Sequence, residues 1–161
     1  VPPDRRGQIH PNDSARLMEW RKVLDETFAV NLIEGAVLTS PDTRGRGYEP
    51  TNLIDGNYDS YWAAKDGVTT ATIEIRLSDT HSFNRLLLQE YIPLGQRVEK
   101  FSVEYQEGDQ WKKFTEGTTI GYKRNLRFPQ IATNGIRIHI ENSLACPVLN
   151  EIGLYQGPDF E

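Results

Sequence analysis

Past Asn31 the apolar residues of this chain recur at every second position, and that period limits the fold more than any other feature. Ile73, Ile75 and Leu77 alternate with Thr72, Glu74 and Arg76. Phe101, Val103 and Tyr105 alternate with Ser102, Glu104 and Gln106, and Ile136, Ile138 and Ile140 with Arg137, His139 and Glu141. Side chains of an extended strand point to opposite faces in turn, so each stretch predicts a strand with one face in a core and one in water. Leu86-Leu87-Leu88 breaks the alternation and reads as a strand buried on both faces, or one at a sheet corner. Asp66-Gly67, Glu107-Gly108-Asp109, Glu116-Gly117 and Asn134-Gly135 read as turns between such strands. Many strands at this spacing predict an all-β sandwich or barrel.

Ahead of that region the period is helical. Leu17, Trp20, Val23 or Leu24, and Phe28 recur every three to four residues between Asn12 and Phe28. Asn12, Asp13 and Ser14 are the N-cap candidates, with Pro11 before them. One apolar stripe with no second helix in the chain must pack on something else. The organisation predicted is therefore residues 1–30 as the tail of an upstream domain, its helix at about 12–28, and residues 31–161 as a β-sandwich.

Composition narrows the function. A net charge of −5, with 25% charged and 37% hydrophobic residues, disfavours a nucleic-acid surface, which normally carries basic excess. No apolar run approaches the roughly 20 residues that span a bilayer. The one cysteine, Cys146, allows no internal disulfide and reads as a small buried hydrophobe before Pro147, with a catalytic thiol as the minor reading. The three histidines show no metal-ligand spacing, and neither a nucleophile elbow nor a phosphate loop is present. The sequence thus offers no active site of its own.

It does offer one crowded polar loop, Asn52-Leu53-Ile54-Asp55-Gly56-Asn57-Tyr58-Asp59-Ser60-Tyr61-Trp62. Asp-Gly marks a sharp reversal, because Gly takes positive φ at little cost. Carboxylate, amide and hydroxyl oxygens on a turned backbone suit Ca²⁺, which takes mixed oxygen shells. Asp55, Gly56, Asn57, Ser60 and Trp62 resemble the Asp-Gly-Asn/Asp-x-x-Ser/Thr-x-Trp signature of discoidin (coagulation factor type C) domains, a group that includes many family 32 carbohydrate-binding modules. The stretch from Gly95 to Tyr105, Trp111 one short turn later, and Asn150-Glu151-Ile152-Gly153-Leu154-Tyr155 fall in that family's order. The resemblance covers about residues 31–156 and implies a discoidin-like jelly-roll β-sandwich preceded by one α-helix.

A second resemblance concerns the ends of certain glycosidases. Pro2-Pro3-Asp4-Arg5-Arg6-Gly7-Gln8-Ile9-His10 with the Leu17/Trp20 helix is similar to the end of the catalytic barrel of family 29 α-L-fucosidases. Leu88-Gln89-Glu90-Tyr91-Ile92, Leu94-Gly95-Gln96-Arg97-Val98 and Thr119-Ile120-Gly121-Tyr122-Lys123 resemble their C-terminal modules. This implies a non-catalytic accessory module of an extracytoplasmic exo-glycosidase, whose partner is its own upstream catalytic domain. A hexosaminidase is the alternative host.

Carried over by position, the resemblance makes Asp55, Ser60 and Glu151 side-chain ligands of a structural Ca²⁺, with carbonyls near Asn52, Asn57 and Ser60. Galactose-binding members of the family carry a His after the loop Trp and an Arg later. Here Ala63 follows Trp62, and Gln89 or Glu90 stands at the Arg position. The ligand-binding or docking residues expected are Gln89, Glu90, Tyr91, Gln96, Arg97 and Lys65, with Tyr48 and Tyr122 as stacking platforms. The Gln89–Arg97 loop has two possible uses, glycan contact or docking on the catalytic domain, the latter with Arg97 paired to a carboxylate, Tyr91 or Ile92 buried at the interface, and the loop on the side facing the N-terminal helix. Membrane lipid is the weakest partner, since only Ile92 and Leu94 near Arg97 resemble an apolar spike ringed by base. Trp62 and Trp111 are expected in the core.

Overall fold

The computed structural model of the chain describes Arg5 and residues 7–158. Pro2-Pro3-Asp4 and Arg6 of the fucosidase-like stretch lie outside them. Among the described residues one α-helix, α1 (Pro11–Thr27), precedes seven strands: β1 (Val37–Thr39), β2 (Trp62–Ala63), β3 (Ala71–Glu90), β4 (Val98–Glu107), β5 (Gln110–Gly117), β6 (Arg124–Ser143) and β7 (Val148–Tyr155). Every ladder is antiparallel, in the order β2-β7-β3-β6-β4-β5, with β1 also pairing β3.

β3 and β6 are 20 residues each and turn the corner between two layers. The first part of β3 pairs Thr72 with His139 and Glu74 with Arg137, and joins β1. Its last part pairs Arg85 with Arg127 on β6 and with Tyr155 on β7. Register shifts between Arg76 and His81, and between Phe83 and Arg85, mark the corner. Side chains from both layers meet in one core: Ile73, Ile75, Leu86, Leu88, Phe101, Ile136, Ile138, Ile140 and Trp62 are all at or near zero exposure. This is the all-β sandwich that the period-two alternation predicts. Leu86, Leu87 and Leu88 are all buried, so that strand is covered on both faces.

Three local expectations are corrected. The helix is capped by His10, whose Nδ1 accepts from Asn12 N at 3.2 Å, and not by Asn12, Asp13 or Ser14. Pro11 takes the first helical position, where its fixed φ fits and no N–H is missed, so the cap falls one residue earlier. Asn134-Gly135 is not a turn but lies inside β6; a Cβ on Gly135 would sit 2.8 Å from Arg76 Nη1, so the glycine makes room for that side chain. Trp111 is half-buried on an outer sheet face, under the Arg137 guanidinium at 3.9 Å, and Trp62 alone of the two is core. Arg137 is held there by Glu74, whose carboxyl is pushed below its ordinary pKa first by the Arg137 hydrogen bond.

Candidate functional site at the loop end

The loops at one end of the sandwich converge around β2. Trp62 pairs with Leu149, and its indole N–H donates to Thr43 Oγ1 at 3.0 Å. That fixes the adjacent Tyr61 next to the strand. Ala64 N donates to Pro147 O and Tyr91 N to Val148 O, which draws in the 144–147 and 91–97 segments. The result is a cluster of four tyrosines. Tyr61 and Tyr91 stack at 4.3 Å and 15°, Tyr48 leans on Tyr61 at 5.3 Å, and Tyr58 on Tyr91 at 6.1 Å. Burial first, then a hydrogen bond with Tyr48, pushes the Tyr61 phenol above its ordinary pKa. Tyr58 remains 44% exposed, so the cluster presents ring surface to solvent.

Two arginines close one side of this cluster around Cys146. Arg44 lies over the Tyr48 ring at 5.0 Å, donates to Cys146 Sγ at 3.1 Å and pairs with Asp66 at 2.7 Å. Arg97 Nη1 donates to Cys146 O at 2.8 Å and to its Sγ at 3.2 Å, while Nε and Nη2 reach Leu94 O. Within this chain the Arg97 guanidinium thus staples the 91–97 loop to the 144–147 loop.

Glu90 and Gln89 also prove to be something other than surface contacts. Glu90 is fully buried; its Oε1 accepts Arg97 N at 2.7 Å and Val98 N at 2.9 Å, and its Oε2 accepts Gly121 N at 2.6 Å. One carboxylate thus satisfies three backbone donors of two loops, a service backbone geometry leaves undone where β3 ends. Gln89 is 3% exposed within the β3–β7 ladder, opposite Glu151. Gln96 is exposed beside Gly121, and Tyr122 is 61% exposed on the following turn. Lys65 is exposed and donates to Pro41 O at 3.0 Å.

The Asp-Gly loop and the last strand meet across a cavity of about 100 Å³ lined by Gly56, Asn57, Tyr58, Asn150 and Glu151. Asp55 turns inward on its own loop, accepting Asn57 N at 2.8 Å and Ser60 Oγ at 2.5 Å, and does not line the cavity. Asn52 uses its amide as a strut, donating to Gly47 O and Tyr61 O. Among the described residues no group of three or more His, Cys, Asp and Glu side chains is placed to hold a metal. Asn150, by contrast, is 4% exposed, donates to Tyr58 O at 3.3 Å, and keeps its Oδ1 without a partner.

Sequence reasoning missed Tyr61, Tyr58, Arg44 and Asn150. For the first, second and last the signal was adjacency: Tyr58 and Tyr61 sit inside the polar loop, and Asn150 directly before Glu151. Arg44 gives no local signal, because only the Thr43–Ala64 bridge brings it to the site.

A family model of the F5/8 type C domain matches residues 37–151. The chain belongs to the discoidin-like, F5/8 type C family. It is 33% identical to the putative alpha-L-fucosidase 1 of Oryza sativa subsp. japonica over 96% of its own length and 31% of that protein's. A putative alpha-L-fucosidase from Bacteroides thetaiotaomicron superposes with a TM-score of 0.90 at 36% identity, over 97% of this chain and 35% of that one. The Ruminococcus gnavus GH29 fucosidase E1_10125, solved in complex with fucose, gives 0.88 at 33%, over 99% of this chain and 33% of that one. The chain thus spans about a third of the relatives it matches, and the part matched is their C-terminal, non-catalytic module. Of the two hosts expected, fucosidase is the one these relatives share.

Proposed function

We propose that the discoidin-like module is a carbohydrate-recognising accessory unit of an extracellular α-L-fucosidase, and that its sugar contact is the tyrosine-lined loop end. The single observation behind this is the cluster of Tyr48, Tyr58, Tyr61 and Tyr91 beside the Arg44 guanidinium. Sugar C–H faces stack on aromatic rings, and hydroxyls need a few oriented polar partners around them. The stacked Tyr61–Tyr91 pair is pre-organised by β2 and by Glu90, so binding orders little that is loose. Tyr58 supplies exposed ring surface, while Arg44, Lys65 and Gln96 supply donors at the rim. Ala63 in place of a histidine speaks against the galactose mode of the family.

The cavity between the Asp-Gly loop and β7 suits a structural Ca²⁺. The fit rests on Asn150 Oδ1, a buried oxygen with no partner, on a residue that lines the cavity together with Asn57, Tyr58 and Glu151. Glu151 would supply the negative charge; Asn150 and the backbone near Asn57 and Tyr58 would supply neutral oxygens. Asp55 and Ser60 would then shape the loop from behind.

Backbone amide resonances followed during titration with a panel of fucosylated oligosaccharides test the sugar contact. The shifts expected fall on residues 44–48, 58–66 and 91–97. No shift with any member, or shifts confined to another surface, overturns the loop-end site.

A further inference from the structure

The cavity between the Asp-Gly loop and β7 shares its walls with the tyrosine cluster. On the loop side Asn57 and Tyr58 line it, and the Tyr58 ring lies 6.1 Å from that of Tyr91. On the strand side Asn150 and Glu151 line it. The same strand holds Tyr91 in place: Gln89 pairs with Glu151, Glu90 with Leu149, and Tyr91 N donates to Val148 O at 3.2 Å. One wall of the cavity therefore carries Tyr58, and the other carries Tyr91.

The link between the walls is weak. Asn150 Nδ2 donates to Tyr58 O at 3.3 Å, long for an N–H···O bond. The loop is otherwise tied to itself: Asp55 accepts Asn57 N and Ser60 Oγ, Asp59 N donates to Asn57 Oδ1, and Ser60 N to Asn57 O. Tyr58 is accordingly the least constrained ring of the cluster. Tyr61 and Tyr91 stack at 4.3 Å, and Trp62 beside Tyr61 is locked into the β2–β7 ladder. Tyr58 is 44% exposed and meets Tyr91 at a tilt of 51°. Its place against Tyr91 follows from the spacing of the two cavity walls. At that spacing Asn150 Oδ1, on a residue only 4% exposed, has no partner.

We propose that carbohydrate binding at the tyrosine cluster is coupled to calcium. Asn150 and Glu151 on one wall and the Asn57 and Tyr58 carbonyls on the other, once they share a cation, fix the Tyr58 ring against Tyr91. This rests on the sugar and cation readings given above and joins them through one residue, whose backbone serves one site and whose ring serves the other. A sugar seated on both rings then meets a site already ordered, so less freedom is lost on binding. By linkage the sugar must tighten calcium by the same factor that calcium tightens the sugar. The module would hold its glycan where calcium is plentiful and release it where calcium is scarce.

Two titrations of the chain test the coupling. In the first, calcium chloride is added without sugar, and tyrosine ring resonances are followed beside backbone amides. Amides of residues 56–58 and 150–151 should shift together with the Tyr58 and Tyr91 rings, at one common midpoint. In the second, the panel of fucosylated oligosaccharides is titrated in calcium and in excess chelator. Binding should be roughly fivefold or more tighter in calcium. Glu151→Gln in calcium should bind sugar no better than the parent does in chelator. Amide shifts with both rings unmoved, or equal sugar affinity in calcium and in chelator, overturn the coupling while the cation site stands. No shift at 56–58 or 150–151 overturns the cation site and the coupling with it. Failure of every panel member to bind in either condition overturns the sugar reading, and the coupling falls for that separate reason.

Discussion

Replacing Glu90 should damage this module more than replacing any other charged residue. Its carboxylate is fully buried and accepts Arg97 N, Val98 N and Gly121 N at 2.6–2.9 Å. In Glu90→Gln the amide oxygen can stay on Arg97 N and Val98 N, because both bond the same oxygen. The new NH₂ then faces Gly121 N, donor against donor. A hydrogen bond to a charged group is worth about 1.5–3 kcal/mol and a neutral one about 0.5–1.5 kcal/mol. One bond lost and two weakened come to roughly 3–5 kcal/mol, offset in part by no longer burying a charge. A net loss of about 2–3 kcal/mol is expected, which for a chain of this size lowers Tm by roughly 4–12 °C. Glu90→Ala should cost more, since all three donors are orphaned. Thermal unfolding followed by circular dichroism measures both. The reasoning is refuted if Glu90→Gln melts within a degree of the parent, or if Glu90→Ala is the milder change.

Calcium should raise Tm and excess chelator lower it, and Glu151→Gln should abolish the difference. At a hundredfold over Kd the stabilisation is about 2.7 kcal/mol; identical melts with calcium and with chelator would sink the site. Glu74 makes stability pH-dependent in a defined direction. Its folded pKa is lowered from 4.5, chiefly by the Arg137 hydrogen bond, so its contribution is full above that value and lost as pH falls through the folded pKa. Glu74→Gln should therefore lower Tm at neutral pH and flatten the decline below about pH 4.5; an unchanged acid limb argues against the pair. The isolated chain should release no fucose from an aryl α-L-fucoside, and turnover removed by changing one of its own carboxylates would contradict the accessory role.

Strands were legible because burial of one sheet face imposes alternation directly on the sequence, as at Ile73 to Leu77 and Ile136 to Ile140. The corner between layers was not. β3 and β6 pass through it without a break, so Asn134-Gly135 imitates a turn while serving as a close approach for Arg76. The loop site was legible only in part. Local chemistry picked out Tyr48, Tyr91 and the Asp-Gly loop, but the partners of Arg97 and Glu90 are backbone atoms, and backbone atoms carry no residue code. Position in the family pattern suggested ligand contact for Glu90 and Arg97, and tertiary hydrogen bonding uses both to hold the loops together. The helix itself was legible from the three-to-four-residue recurrence of Leu17, Trp20, Leu24 and Phe28, yet where it meets the sandwich depends on the contact of Phe28 with Tyr155, which no local pattern encodes.

The central claim, that the tyrosine-lined loop end recognises carbohydrate, is tested most directly by glycan-array binding of the chain itself beside its Tyr58→Ala variant. Tyr58 is 44% exposed, so the variant should melt with the parent, and any loss of binding reports contact and not folding. Saturable binding to a subset of fucose-bearing glycans is expected for the parent, weakened roughly two- to tenfold in the variant, in line with the ~0.5–1.5 kcal/mol of one stacking ring. Absence of binding across the array, or binding that Tyr58→Ala leaves untouched, would contradict it.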